Sequence, residues 1–471
     1  MYELDLTSLE NNMTDKVDKG KISHKTGNKI LLFPFPGNDT KINDLKADLI
    51  AFKGIAGACY RNCMNYSQSV KLNKDKFINE VCSKAHAPNN YNLKDIIENI
   101  AFDENEQLIT FNAKIYAYLD NYVKNKTLND ISKYIVSVFI EGEDIERLHA
   151  LATKEPDNLM HRLILSALPD LKEEIRVDEF VYRAPNKSRE KFKEDFLTLT
   201  KDHSLFVSGF PQLLKVYFFL YISDLIFQLN SFFEEKRDRY FFSLSWEKLQ
   251  ASRLPMINGW KLFEKHIASM FTHANTLELL NHIKGFTIQG ITYVELKELV
   301  KKLSDQEKAI LQLSIENLIS FYQERITKDN NPFDWKKYPL KEINSDEPIF
   351  NLVYKLWQMV DVQFQETERK KVYSAYRRYF LLFTQYNYTR RRGRNGYSLS
   401  IDQESLLFLT TLCIGPDEDK IRLSKLWSEL EDRGFLFDQI SKSVIVDYFE
   451  KINLLEKKSD SGDAQYVRKL R

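Results

Sequence analysis

The sequence predicts a mainly α, multi-domain helical protein that ends in a winged-helix domain. Three observations predict it. Gly and Pro number only 15 and 12 in 471 residues, too few for the turns of a many-stranded sandwich. Apolar residues recur at helical spacing along most of the chain. The stretch 399–471 reads as three helices followed by two strands, which is the winged-helix order.

Taken in order, residues 1–44 form an N-terminal extended segment. Its one apolar run, Ile30 to Phe33, is stopped by Pro34 and Pro36 and suits a single strand or extended piece. A helical domain follows over 45–183, where Ile96, Ile97 and Ile100 line one helix face. Glu155-Pro156-Asp157-Asn158 and Ala184-Pro185-Asn186 are turn signals. A second helical domain covers 184–326. Its stretch from Leu205 to Phe233 is apolar nearly all round, as expected of an enclosed helix. Lys215, Asp224 and Gln228 cut that stretch into pieces too short to span a bilayer of ~30 Å. Ile291-Thr292-Tyr293 suits a short strand ahead of a helix from Val294. Ser304 and Glu307 form a capping box before another helix. Residues 327–348, with Pro332, Pro339 and Pro348, read as a linker. A basic, aromatic helical arm spans 349–398.

In the winged-helix domain, 399–471, Asp402 caps a helix that Gly415-Pro416 ends. Ile421-Arg422-Leu423 is a short strand. Ser424 caps a second helix with Leu426, Trp427 and Leu430 facing inward, and Gly434 terminates it. Asp438 caps a third, whose Ile440, Val444, Ile445, Tyr448, Phe449 and Ile452 recur at helical spacing. Two strands then flank the turn Ser459–Asp463.

Composition narrows the class. Hydrophobic residues make up 43% and charged residues 29%, the balance of a globular chain. Four cysteines are too few for a disulfide framework, so a cytoplasmic location is expected. Met1 to Glu10 has no apolar core and is not expected to be a signal peptide.

The formal net charge is only +1, but the charges are segregated. Between Glu368 and Asp402 there is no acid, while nine Lys and Arg residues fall there, with Tyr373, Tyr376, Tyr379, Phe380, Phe383, Tyr386 and Tyr388 interleaved. Arg forks match phosphate oxygens, and exposed Tyr rings can stack on unpaired bases. Gly393 and Gly396 are expected to make the arginine loop pliable. Arg377, Arg378, Arg390, Arg391, Arg392 and Arg394 are therefore the DNA-binding candidates. The plainer alternative is a solvated basic face, with the aromatics packed as core. In the third C-terminal helix Gln439, Ser441, Lys442 and Ser443 are expected at the surface, and Lys442 joins the DNA-binding set. Asp438, Asp447, Glu450, Asp460 and Asp463 would repel phosphates, so this unit could equally dock protein.

Cys59, Cys63, Cys82 and His86 give C-x3-C and C-x3-H spacings, which two facing helices could present to a structural zinc. The alternative is that the cysteines pack as small buried hydrophobes. No G-x-x-x-x-G-K-[ST] and no H-E-x-x-H occurs. Glu418-Asp419-Lys420 is too tightly spaced to surround a metal, and Asp170, Glu173 and Glu174 read as a helix-face acid cluster. No catalytic residue is assigned, and intrinsic enzyme activity is not expected.

Ile421–Leu430, Arg433-Gly434, Phe437-Asp438, Ser459 to Val467 and the N-terminal Gly27-Asn28-Lys29-Ile30-Leu31-Leu32-Phe33-Pro34-Phe35 resemble the DptG/DndG family. This is the G subunit of bacterial DNA phosphorothioation-dependent restriction systems. The resemblance implies antiviral defence against DNA that lacks the host's modification. It also implies two partner subunits that carry the ATPase or helicase-like activity. The expected function is a non-catalytic DNA-binding and scaffolding subunit, with DNA and the other subunits as partners and no membrane. The alternative is a scaffold whose basic arm and winged helix dock on partner subunits without touching DNA.

Overall fold

The computed structural model describes residues 2–16, 21–37, 42–67, 72–87, 90–104, 106–119, 125–173, 181–234, 239–287, 290–327, 333–341, 345–366, 370–457 and 465–470. Glu174, the Asn330-Asn331-Pro332 signal, Glu368, Arg369 and the turn Ser459–Asp463 lie outside them.

The protein is mainly helical and is built around the 28-residue helix His203–Asn230. Asp202 caps it by accepting from the Leu205 N–H at 3.0 Å. It is apolar on all sides, so it can be stable only when other elements cover every face. By length and composition it is the one helix among the described residues that could cross a membrane, yet 67% of its most apolar window is buried inside the protein. Helix Lys187–Lys201 lies along one flank. On another, Phe218 and Phe219 pack on Phe380 and Phe383 of the basic helix Lys370–Asn387.

The N-terminal segment is threaded into this core. Ile30, Leu32, Phe33 and Phe35 are buried, and Leu31 makes a single parallel bridge to Val181. Gly27 to Ile30 wrap the buried carboxylate of Glu278, which accepts from the Gly27 N–H at 3.0 Å, Asn28 at 3.2 Å, Lys29 at 3.0 Å and Ile30 at 3.4 Å. Asn12 adds a side-chain donor at 3.0 Å. Phe35 packs on Tyr376, Tyr379 and Phe380.

Sequence-distant strands meet in one four-stranded sheet. Its order is Thr389–Arg391, Tyr397–Ile401, Phe241–Leu244, Leu436–Phe437. The first pair is antiparallel, and Phe241–Leu244 is parallel to both its neighbours. A strand from the middle of the chain is thus inserted between two strands that it meets within the C-terminal unit, at Ser400 and Ile401 on one side and at Leu436 and Phe437 on the other. Within 327–348, Phe333 is buried and stacks on Tyr338.

After Tyr397–Ile401 come helix Gln403–Ile414, strand Lys420–Arg422, helix Leu423–Asp432, strand Leu436–Phe437, helix Gln439–Lys451 and strands Leu455–Lys457 and Gln465–Arg468. A three-stranded antiparallel sheet holds the order Lys420–Arg422, Gln465–Arg468, Leu455–Lys457. Asp402 and Asp438 cap as expected, accepting from Ser405 N–H at 2.8 Å and Ser441 N–H at 2.9 Å. Gly415 and Gly434 end their helices at positive φ. The Ser304–Glu307 capping box is formed as well.

Several local expectations differ. Helix Leu423–Asp432 starts one residue before Ser424, with no side-chain cap at Arg422. Ile291-Thr292-Tyr293 is not a strand. Thr292 and Glu295 form a capping box that starts the helix at Tyr293. Ile96, Ile440 and Ile452 face solvent, at 49%, 56% and 37% exposure.

Candidate nucleic-acid interface

The arm divides into a buried helix and an exposed hairpin. On helix Lys370–Asn387 the aromatic residues at helical spacing turn inward. Tyr373, Tyr376, Tyr379, Phe380 and Phe383 are buried, as is Tyr388 beyond its end. These rings form core, so none of them is placed to stack on a base. Arg377 on this helix is half-buried beside the Tyr373 ring. It also acts electrostatically on Glu264, whose carboxyl is raised chiefly by burial and lowered by Arg377. The acid-free stretch of sequence therefore has an acid near it in space. Arg378 lies on the exposed face.

The pliable loop expected from Gly393 and Gly396 is an ordered β-hairpin. Thr389, Arg390 and Arg391 pair with Leu399, Ser398 and Tyr397. The turn closes through the Arg392 N–H on the Gly396 carbonyl at 2.6 Å. Both glycines take positive φ, +58° and +83°, which a side chain rarely adopts. Here the glycines shape the turn instead of loosening it.

The hairpin sorts its arginines. Arg390, Arg391 and Arg394 are exposed. Arg390 and Arg391 are neighbours on a strand, so they project to opposite faces of the hairpin. Arg392 was expected on phosphate and is instead turned inward. Its Nε donates to Ser398 Oγ at 2.9 Å, one terminal nitrogen to the Glu247 carbonyl at 2.7 Å, and the other to Ser243 Oγ at 3.0 Å, the Leu244 carbonyl at 2.8 Å and Ser400 Oγ at 3.2 Å. Burial holds its guanidinium below the usual arginine range. With its fork committed to these partners, Arg392 holds the hairpin to the body, while the guanidiniums of Arg390, Arg391 and Arg394 stay exposed.

The last helix is anchored to the same segment. Ser441, expected at the surface, is buried. Its hydroxyl accepts from an Arg253 terminal nitrogen at 2.9 Å and donates to Glu247 Oε1 at 3.1 Å. Asp438 is held in an ion pair with Arg253, whose Nε donates to Asp438 Oδ2 at 2.9 Å. That pair draws the Asp438 carboxyl below its usual range against the opposing effect of burial. Asp438 is therefore spent internally and does not confront a polyanion. Glu247 connects the two candidate regions, since its carbonyl takes Arg392 and its carboxylate takes Ser441.

Gln439, Lys442 and Ser443 remain at the groove between the last two helices, with Trp427, Val446 and Asp447. Lys442 Nζ lies 5.6 Å from the centre of the Trp427 ring, so Trp427, half-buried and packed against the core as expected, also walls this groove. Asp447 and Glu450 are exposed.

Cys59 and Cys63 sit on helix Lys53–Cys63, Cys82 on helix Lys74–Lys84, and all three are buried. His86 is exposed, at positive φ past the end of the second helix. The first helix packs on Lys126–Phe139 and the second on Tyr91–Ala101 and Leu159–Ser166. Cys59 Sγ donates to the Ser132 carbonyl at 3.5 Å, and burial raises its thiol well above the usual range. Among the described residues no three His, Cys, Asp or Glu side chains gather closely enough to hold a metal ion.

Sequence reasoning missed Glu247, Arg253 and Glu278, which organise the site and the core. Each lies outside any charge cluster that the sequence singles out, with most of its partners far away along the chain. No protein-family model matches the chain, and no curated protein matches it.

Proposed function

We propose that the protein is a cytoplasmic, non-catalytic DNA-binding and scaffolding subunit. It would serve a phosphorothioation-dependent restriction complex that acts on unmodified DNA. The observation that carries the DNA-binding part is the hairpin 389–401. Three arginines are exposed, two on its first strand and one in its turn, and the fourth is consumed in holding the hairpin to the body. Arginines on a preorganised loop meet phosphates with little further ordering. The C-terminal order of helix, strand, helix, short strand, helix and two strands, with its three-stranded antiparallel sheet, supports a winged-helix reading of 399–471. In that reading the groove holding Gln439, Lys442 and Ser443 faces the nucleic acid. The restriction role and the partner subunits rest on the sequence resemblance.

A scaffold that docks its basic hairpin on an acidic partner is the second reading. It is favoured by Asp447 and Glu450, exposed on the helix that would enter the groove.

Fluorescence anisotropy with labelled duplex and single-stranded DNA across a salt series tests the first reading. Wild type should bind with a steep salt dependence. Arg390→Ala/Arg391→Ala/Arg394→Ala should lower the magnitude of the log–log slope by about 2–3, at roughly 0.9 for each phosphate no longer neutralised. Equal slopes for the two proteins would remove the hairpin from DNA and leave the scaffold reading.

A further inference from the structure

The hairpin 389–401 has different neighbours on its two faces. Residues paired directly across an antiparallel ladder share a face. Arg390 therefore shares one face with Ser398, and Arg391 shares the other with Tyr397. On the first face, Ser398 Oγ accepts from Arg392 Nε at 2.9 Å, and the same guanidinium donates to the Glu247 carbonyl at 2.7 Å. Arg390 is near enough to add to the burial that holds the Arg392 guanidinium down. Joined to that carbonyl is Lys248, which is exposed. On the second face, the Trp260 ring lies 5.5 Å from the Tyr397 ring. Gly259 is pressed so close to the sheet that an added Cβ would sit 2.6 Å from the Phe241 carbonyl oxygen and 3.7 Å from Leu399 Cβ. Lys261 follows Trp260 and is exposed as well. The segment 245–261 thus straddles the hairpin and sets one lysine beside each face, where each face already has one arginine.

This surroundings is poor in acid. Residues 248–261 hold no Asp or Glu, and Glu247 is buried with Oε1 on Arg253 and Ser441. Burial raises the carboxyl of Glu264, the next acid along, and the Trp260 side chain and Arg377 oppose that shift. The tip stands clear of the body. Residues 393–396 are exposed, and a Cβ on Gly393 or Gly396 would meet nothing within 4 Å.

A protruding ribbon with cations on both faces matches a space walled by phosphates on both sides. The major groove of a duplex is such a space: about 12 Å wide, it admits a two-stranded β-ribbon. At about 6 Å the minor groove is too narrow. An unpaired strand offers one backbone only, so one face of the hairpin would always look away from it. The rings of Tyr373, Tyr376, Tyr379 and Tyr388, which could have stacked on its bases, are buried.

We propose that the hairpin enters the major groove of duplex DNA, with Arg390 and Lys248 on one phosphate backbone and Arg391 and Lys261 on the other. This inference rests on the DNA-binding reading above and adds to it the form of the nucleic acid, the groove and two lysines.

The test pairs substitutions by face. Duplex and single-stranded DNA of one sequence are titrated with the full-length protein by fluorescence anisotropy across a salt series. Wild type should prefer the duplex. Arg390→Ala/Lys248→Ala and Arg391→Ala/Lys261→Ala should each lower the magnitude of the duplex log–log slope by about 2, at roughly 0.9 per phosphate. Methyl green, which occupies the major groove, should displace the protein, and netropsin, which occupies the minor groove, should not. A slope lowered by one pair alone or by neither overturns the proposal. So does displacement by netropsin and not by methyl green, or equal affinity for single strands. Each of these results leaves DNA binding itself standing, whereas a wild-type protein that binds neither DNA overturns that reading and this inference together.

Discussion

Arg433 and Asp195 face each other as a buried bidentate pair, with Nε on Oδ2 at 2.8 Å and a terminal nitrogen on Oδ1 at 2.6 Å. Their side chains are 4% and 1% exposed. Tyr217 donates to the same carboxylate at 2.5 Å, and Glu429 takes the remaining Arg433 nitrogen at 2.7 Å. The pair joins helix Lys187–Lys201 to the end of helix Leu423–Asp432. With the Arg253–Asp438 pair and the inserted strand Phe241–Leu244, it makes the C-terminal unit part of the body and not a tethered domain.

Removing one member should therefore strand a buried charge. Asp195→Asn is expected to destabilise the protein by about 3 kcal/mol or more, seen as a lowered Tm in scanning fluorimetry. The paired replacement Asp195→Leu/Arg433→Met should recover much of the loss, because no charge is left without a partner. If the double variant is as unstable as the single, the pair contributes through packing alone.

Glu278 governs the N-terminal segment in the same way. Burial raises its carboxyl above the usual range, and the N–H groups of Lys29, Ile30, Gly27 and Asn28 oppose that shift. Glu278→Gln keeps the shape but turns an amide NH2 toward those donors. A loss of about 2 kcal/mol is expected, together with faster proteolysis within 24–37, where the segment would come away from Tyr376 and Tyr379. Wild-type proteolysis rates in that region would exclude the wrapped carboxylate as its anchor.

Acid should act through two buried histidines. Burial lowers His273 to about 3 and His282 to about 4. His273 Nδ1 lies 3.0 Å from the Tyr293 hydroxyl, and its Nε2 has no partner among the described residues. A histidine whose folded pKa lies below its unfolded value near 6.5 contributes stability that is complete above 6.5 and is lost as pH falls toward the folded value. The expected window is about pH 6.5 down to 4, with each histidine giving a slope of about 1.4 kcal/mol per pH unit. His273→Phe should remove one such slope in urea titrations run at several pH values across that window. An unchanged slope would assign the acid response to other groups.

What the sequence made legible is what is local. Asp402, Asp438 and the Ser304–Glu307 box cap helices within three residues of themselves, and the apolar run on His203–Asn230 announces an enclosed helix. The hairpin arginines stand out by the same reasoning, because the absence of acids is a property of one stretch. Their sorting was not legible. Arg392 differs from Arg391 and Arg394 through Ser398 and Ser400 nearby and through Ser243, Leu244 and Glu247, which lie about 150 positions upstream and meet it through the parallel pairing of Phe241–Leu244 with Tyr397–Ile401. Ser441 reads as a surface residue because its partners, Glu247 and Arg253, are equally remote. The N-terminal phrase Gly27 to Phe35 reads as a motif, and its physical role is to wrap Glu278 and pack on the arm's aromatics.

Arg392 separates positioning from contact. Replacing Arg392 with Ala leaves Ser243, Ser398 and Ser400 to bond among themselves, as their hydroxyls already do at 2.7–3.2 Å, but it frees the carbonyls of Leu244 and Glu247 from the guanidinium. Arg392→Ala should lower Tm, and it should weaken DNA binding through a mis-set hairpin while the salt slope stays near that of wild type. Arg390→Ala/Arg391→Ala/Arg394→Ala should do the reverse, holding Tm within about a degree or two, as surface substitutions usually do, while the magnitude of the slope falls by about 2–3. Measuring Tm and salt slope on the same two proteins gives a crossed result if Arg392 holds the hairpin and the other three meet phosphate. A slope reduced equally in both would place Arg392 on the phosphate as well, against the five hydrogen bonds that now occupy it.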